Sequence, residues 1–134
     1  MYDKILVPLA LDHGLSQTLL GVARGLLAPG GEILALHVVE EAFGLARATQ
    51  SPEQSAEVFE RAHALIKERL AGVEGIKGYV LEGHVHRSIL EFATEHEITC
   101  IVMGSHKPGL TDYLLGSTAA RVVRHAPCSV HVHR

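Results

Sequence analysis

Cysteine is scarce in this chain: Cys100 and Cys128 are the only two in 134 residues, and both lie inside apolar stretches. That is too few for a disulfide framework. Both read as buried, reduced thiols, which makes the cytoplasm the expected compartment. No apolar run approaches the roughly 20 residues of a membrane-spanning helix, so no membrane insertion is expected. The first apolar stretch, residues 5–11, is short and has no small-residue cleavage site, so it does not read as a secretory leader. A basic excess is also missing. Twelve Lys and Arg against 15 Asp and Glu leave a formal net charge of −3, which excludes broad nucleic-acid binding through phosphates. With 47% hydrophobic and 20% charged residues, disorder and low complexity are excluded and one globular domain over residues 1–134 is expected.

What the sequence does have is alternation of short apolar runs with helical periodicity. Ile5-Leu6-Val7-Pro8-Leu9 reads as a strand buried on both faces and ending near Pro8. Leu15, Leu19, Val22 and Leu26 recur at helical spacing, with Leu20, Ala23 and Leu27 beside them, and Pro29-Gly30-Gly31 stops that helix. Ile33–Val39 is a second strand, carrying His37. Residues 40–50 read as a loop. Ser51-Pro52-Glu53-Gln54 is a capping box with proline in the first turn. The helix it opens shows a stripe of Val58, Ala62, Leu65 and Arg69, with Phe59, Ile66 and Leu70 alongside, and stops at Gly72. Gly78–Leu81 is a third strand, broken by Gly83. Ser88–His96 is a helix burying Ile89, Leu90, Phe92 and Ala93. Ile98–Met103 is a fourth strand, and Gly104–Leu115 a polar loop. Gly116-Ser117 opens a helix expected to bury Ala120 and Val123, with Ala119 beside them, and Pro127 ends it. In Ser129–His133, Val130 and Val132 share one face and His131 and His133 the other.

Strand and helix therefore alternate four times before a fifth strand. That order specifies parallel strands joined by right-handed crossovers, and continuous apolar strands require helices on both faces. The fold class is α/β, a three-layer doubly wound five-stranded parallel sheet of Rossmann-like type. Ligands of such sheets bind beyond the carboxyl ends of the strands, where strand order reverses. The segments after the strands are thus the ones to inspect, and 104–118 is the most informative. Gly104 follows a buried strand, and Gly116-Ser117 begins a helix whose free amides and dipole favour an anion. Ser117 and Thr118 add hydroxyls; His106 and Lys107 add positive charge. The same residues also suit ordinary turn and cap chemistry. The segment is neither a P-loop nor the dinucleotide fingerprint Gly-x-Gly-x-x-Gly.

Several stretches together resemble the universal stress protein family over nearly the whole chain. They are Lys4-Ile5-Leu6-Val7-Pro8, Leu36-His37-Val38-Val39, Glu82-Gly83, Ile101 through His106 with Leu114-Leu115-Gly116-Ser117, and Arg121 through Val130. The resemblance implies the architecture of the adenine nucleotide alpha hydrolase-like fold, a homodimer formed through the C-terminal strand, and ATP or AMP as ligand, with or without Mg. Gly104, Gly116 and Ser117 match the family's phosphate positions, with Thr118 next to them. Pro8, Val38 and Met103 match positions lining the adenine pocket. Leu9, Asp12, Gly83 and His84 complete the surroundings of base and ribose. His106, Lys107 and Gly109 lie in the phosphate loop. Two departures stand out. The family's second glycine falls on Lys107 with a spacer one residue short, and the acidic residue usual two positions after Pro8 is Ala10. A lost hydrogen bond of that kind is worth about 0.5–1.5 kcal/mol.

The function this implies is an adenine-nucleotide-binding stress-response regulator or sensor, acting on a regulatory protein partner. The alternative is a dimeric protein-interaction module of the same fold that binds no nucleotide. No catalytic residue is expected. No Gly-x-Ser-x-Gly elbow occurs, Ala10 and Gly83 exclude phosphoacceptor chemistry of the response-regulator kind, and no general base is evident. At most a slow ATPase or autophosphorylation activity remains, with Ser117 or Thr118 as acceptor. Ten histidines are present. His131 and His133 form a His-x-His pair on a strand, but no third ligand accompanies them and no metal is expected. His84 and His86 form a second pair after the third strand, read either as solvated polar side chains or as phosphate or ribose contacts. If the last strand is an edge, pairing with a second copy brings the chains' histidines together, and the dimer weakens from about pH 7 to about pH 5.

Overall fold

Ile5, Leu6 and Val7 are consecutive and have no exposed surface. A strand buried on both faces needs a helical layer above it, another below, and a partner strand on each edge. The computed structural model describes residues 1–10, 17–40, 49, 51–105 and 115–134. In it this strand, β1 (Tyr2–Pro8), is the middle of a five-stranded parallel sheet. The other strands are β2 (Leu27–Glu40), β3 (Ile76–Gly83), β4 (Cys100–Gly104) and β5 (Ser129–His133), in the spatial order β3-β2-β1-β4-β5. The helices are α1 (Gln17–Leu26), α2 (Pro52–Leu70), α3 (Val85–Glu95) and α4 (Ser117–His125).

Side-chain alternation along the strands divides the core in two. Leu6, Leu34, Leu36, Ile101 and Met103 meet Ile89, Phe92 and Ala93 of α3 and Ala119 and Val122 of α4. Ile5, Val7, Ile33, Ala35 and Val102 meet Leu20 and Ala23 of α1 on the opposite face. On that same face α2 covers the β3 edge through Ile66 against Val80. Gly78 makes this contact close, since a Cβ there would stand 2.7 Å from the Leu70 side chain. The doubly wound α/β architecture expected from the alternation of elements is the one observed.

The differences from expectation have local causes. Pro29-Gly30-Gly31 does not end α1; it forms an irregularity inside β2, where pairing jumps from Tyr2–Leu27 to Lys4–Glu32. Gly30, at φ +79°, supplies the left-handed residue of that detour. The capping box is as read: the Gln54 amide donates to Ser51 Oγ at 3.1 Å, and the Ser51 amide donates to Gln54 Oε1 at 2.8 Å. The buried stripe of α2 is rotated, however. Ile66 is its buried residue, Phe59, Ala62, Leu65 and Leu70 are half-buried, and Val58 is exposed. Helix α3 starts earlier than Ser88, because the Ser88 amide already donates to the His84 carbonyl at 2.8 Å; Leu90 is only half-buried. β4 starts after Ile98 because the Ile98 amide closes α3 on the Ala93 carbonyl. In α4 it is Ala119 and Val122 that are buried, while Ala120 and Val123 are exposed. Cys100 is buried, Cys128 half-buried, and both are free thiols. Leu15 and most of the 40–50 segment lie outside the described residues. No helix among the described residues is long and apolar enough to cross a membrane.

Gly83 ends β3 at φ +155°, and a Cβ there would lie 2.9 Å from Ser88 Oγ. Gly83→Ala is therefore expected to lose about 1–3 kcal/mol in urea unfolding, and a variant as stable as the native chain would contradict this account of the β3–α3 turn.

Candidate functional site

Strand order reverses between β1 and β4, since β2 and β3 extend the sheet one way and β5 the other. The β1–β4 ladder consists of Ile5–Cys100 and Leu6–Ile101. Val7 and Pro8 therefore run on unpaired with Val102 and Met103, and the two strands part at their carboxyl ends. This parting is the crevice that an open α/β sheet offers a ligand.

Its walls come from four elements. On β1, Pro8 is half-buried and Leu9 is buried just beyond it. The Leu9 amide donates to the Leu36 carbonyl at 2.8 Å, and His37 Nδ1 donates to the Leu9 carbonyl at 2.9 Å. That second bond holds the imidazole with its proton on Nδ1 and fixes the chain leaving β1 against β2. Val38 of β2 and Met103 of β4 are buried in the cluster that also contains Ala119 of α4. Among the described residues, a Cβ at Gly104 would meet nothing within 4 Å, so none of them fills the space over the end of β4.

The fourth element is the start of α4. Gly116 is its N-cap and has no side chain to cap with, so the helix begins without a side-chain hydrogen bond. The Gly116 amide itself donates to the Ser105 carbonyl at 2.6 Å, and the Ser105 amide donates to the His133 carbonyl at 3.0 Å. The donors left at this end are thus the amides of Ser117, Thr118 and Ala119, whose helix supplies no earlier carbonyl. Ser117 is exposed and Thr118 half-buried.

Pro8, Leu9, Val38, Met103, Gly104, Gly116, Ser117 and Thr118 thus gather at the carboxyl edge of β1, β2 and β4. Gly83 and His84 do not join them closely. Gly83 pairs with Glu40 at the outer end of the sheet, and the His84 ring packs edge-to-face on His86 at 4.4 Å. Asp12, His106, Lys107 and Gly109 lie outside the described residues. His37 was legible only as a polar residue interrupting an apolar strand; its bond to Leu9 depends on strand pairing that no local pattern reveals. No group of three or more His, Cys, Asp or Glu able to hold a metal occurs among the described residues. A separate depression of about 550 Å³ lies between α2 and β3, over Ile66, Leu70 and Gly78. It contains none of the residues above and offers mainly an apolar floor.

The charges that act on His86 are cationic. Partial burial holds the His86 imidazole below its usual range, helped by the positive charges of His84, Arg121, Arg87 and His125. A carboxylate held by cations lies at the opposite end of the strands. There Glu32 bridges Lys4 at 3.2 Å and Lys77 at 3.4 Å and is held below its usual range by them, the hydrogen bond from Lys4 contributing most.

A doubly wound parallel sheet whose strand order reverses between β1 and β4 belongs to the Rossmann-like α/β class. The chain belongs to the universal stress protein family, whose profile matches residues 1–134. It is similar to a universal stress protein of Methanothermobacter thermautotrophicus, 30% identical over all of this chain and 97% of that one. A solved structure of a Methanocaldococcus jannaschii universal stress protein superposes with a TM-score of 0.77 at 28% identity, covering 98% of this chain and 95% of the other. An Archaeoglobus fulgidus family member in complex with dAMP shares the fold with a TM-score of 0.56 at 19% identity, covering 99% and 98%.

The depressed imidazole makes a prediction about stability. The unfolded chain protonates residue 86 in the ordinary histidine range, whereas the folded chain resists until lower pH. Stability therefore falls as pH drops from about 7.5 to about 5.5. Urea midpoints for His86→Gln should decline less steeply over that interval than those of the native chain, and parallel declines would contradict the assignment.

Proposed function

We propose that the crevice between β1 and β4 binds an adenine nucleotide, AMP or ATP, and that the protein acts as a nucleotide-responsive regulator. The observation that carries this reading is the uncapped start of α4 beside Gly104, where a Cβ would meet nothing within 4 Å among the described residues. A side chain at residue 104 would occupy the place where a phosphate approaches main-chain amides; glycine leaves it clear. Val38 and Met103 offer apolar surface for a base, and Pro8 bounds it from β1. Ser117 and Thr118 bring hydroxyl donors beside the free amides. Family members of this fold bound to dAMP, AMP and cAMP support the choice of ligand class. A Mg ion accompanying ATP would be held through the phosphates. Unequal affinity of the nucleotide for two states of the protein would alter the surface offered to a protein partner.

Any hydrolysis or autophosphorylation, with Ser117 or Thr118 as acceptor, would be slow. We also infer that a second copy pairs along β5, which is an edge strand with one side of its backbone free. His131 and His133 are stacked on one face of that strand, 6.2 Å apart. Protonation of four such rings in a dimer weakens the pairing. Sedimentation should give a dimer near neutral pH that loosens on acidification. A monomer throughout contradicts the pairing, and a dimer indifferent to pH contradicts the histidine effect.

The direct test of the nucleotide site uses Gly104→Val. Stability should change by less than about 0.5 kcal/mol, because the first added atom meets none of the described residues. Affinity for AMP and ATP in calorimetry should drop more than about tenfold. With no Trp and three Tyr, the purified protein also reveals retained nucleotide by excess absorbance near about 260 nm, an expectation that follows from its weak aromatic absorbance. Native protein that carries no nucleotide and gives no heat with AMP or ATP favours the interaction module instead.

A further inference from the structure

An open sheet has two end strands, and here they are β5 and β3. β3 pairs with β2 from Ile76 through Gly83 and with no other described strand. In a parallel ladder alternate residues turn their N–H and C=O groups to opposite sides, so half of those on β3 point away from β2. Outside the ladder, no main-chain bond joins residues 76–83 to another described residue. The strand is eight residues long, lacks proline and pairs with β2 without a bulge, so these common blocks to strand addition are missing. Lys77, its one lysine, is drawn to Glu32 at 3.4 Å.

Beside this free edge lies the depression of about 550 Å³ between α2 and β3. Leu70 leans so far over Gly78 that a Cβ there would stand 2.7 Å from it, so the floor is leucine on bare main chain. Ile66 and Ile76 add apolar wall. His63 and Lys67 are the polar side chains of the lining, which contains no acid among the described residues. Lys67 makes no ion pair among the described residues. The depression opens outward: His63, Lys67 and Ala71, on its flank of α2, are exposed, whereas Leu65 and Arg69, on the other flank, are half-buried. Gly78 is exposed as well.

We propose that the free edge of β3 and this depression together accept an extended peptide as an added strand, its apolar side chain over Leu70 and an acidic one against Lys67. Side chains two residues apart on a strand share a face at a spacing of about 7 Å, so the recognised pattern is an apolar residue and an acidic one separated by a single residue. The lysine and histidine of an acid-free lining set the charge of the partner. The strand edge sets its chemical class. Any occupant displaces water from the outward N–H and C=O groups of β3; a peptide replaces those bonds, whereas a hydrocarbon chain leaves them unmet. Ile76 and Gly78 stand at the amino end of β3, away from the crevice, and the proposal does not rest on the nucleotide reading.

The test adds the blocked peptide acetyl-Thr-Thr-Leu-Thr-Glu-Thr-amide to the native chain, labelled with ¹⁵N. The amides of residues 67–71 and 76–80 should shift together and saturably, and the outward amides of β3 should exchange more slowly with solvent. Replacing the peptide's glutamate by lysine should weaken binding about tenfold, as should Lys67→Glu at an unchanged melting temperature. The same peptide N-methylated along its backbone should not bind. Silence at β3 overturns the proposal, as does a methylated peptide that binds equally or a folded Lys67→Glu that binds like the native chain. Decanoate that moves residues 67–71 where the peptide does not assigns the depression to an apolar acid and overturns it too. So do shifts in β3 that grow with protein concentration and ignore the peptide, because they assign the edge to a second copy.

Discussion

The main chain of Ser105 holds the upper edge of this molecule together. Its N–H is bonded to the carbonyl at the end of β5 and its carbonyl to the amide that opens α4. Ser105 is only 3% exposed, so water competes poorly for either bond. The two bonds bring the ends of β4 and β5 and the beginning of α4 to one point.

Much of this arrangement is legible in the sequence, because it follows from patterns that have one cheap structural solution. Ile5-Leu6-Val7 and Ile101-Val102 are too uniformly apolar for anything but a strand between two helical layers. Ser51 and Gln54 specify a capping box through chemistry confined to four residues. Gly104 and Gly116 could be picked out because strand-to-helix junctions at a sheet's carboxyl edge are where ligands bind. The rest depends on tertiary geometry. The exposed Val58 and Val123 show that a helix with apolar residues on more than one face turns whichever side the sheet can accept. Pro29-Gly30 looks like a stop, yet β1 recruits residues on both sides of it into one irregular strand. The ties from His37 to Leu9 and from Ser105 to His133 join residues 28 apart in sequence in both cases; no periodicity encodes them.

Charge is distributed less evenly than its total suggests. The acids and lysines of the lower edge neutralise one another, as in the Lys4–Glu32–Lys77 bridge. The upper flank between α3 and α4 keeps its arginines and histidines together. Exposed ion pairs such as the lower bridge contribute little to stability, about 0–1 kcal/mol each.

The most direct measurement is the set of backbone amide shifts in an ¹⁵N NMR titration with ATP. If the crevice is the binding site, the amides of Gly104, Ser117 and Thr118 move together and saturably, while those of Lys67, Leu70 and Gly78 around the α2–β3 depression stay in place. Silence at the first three, or movement confined to the second three, would contradict the account.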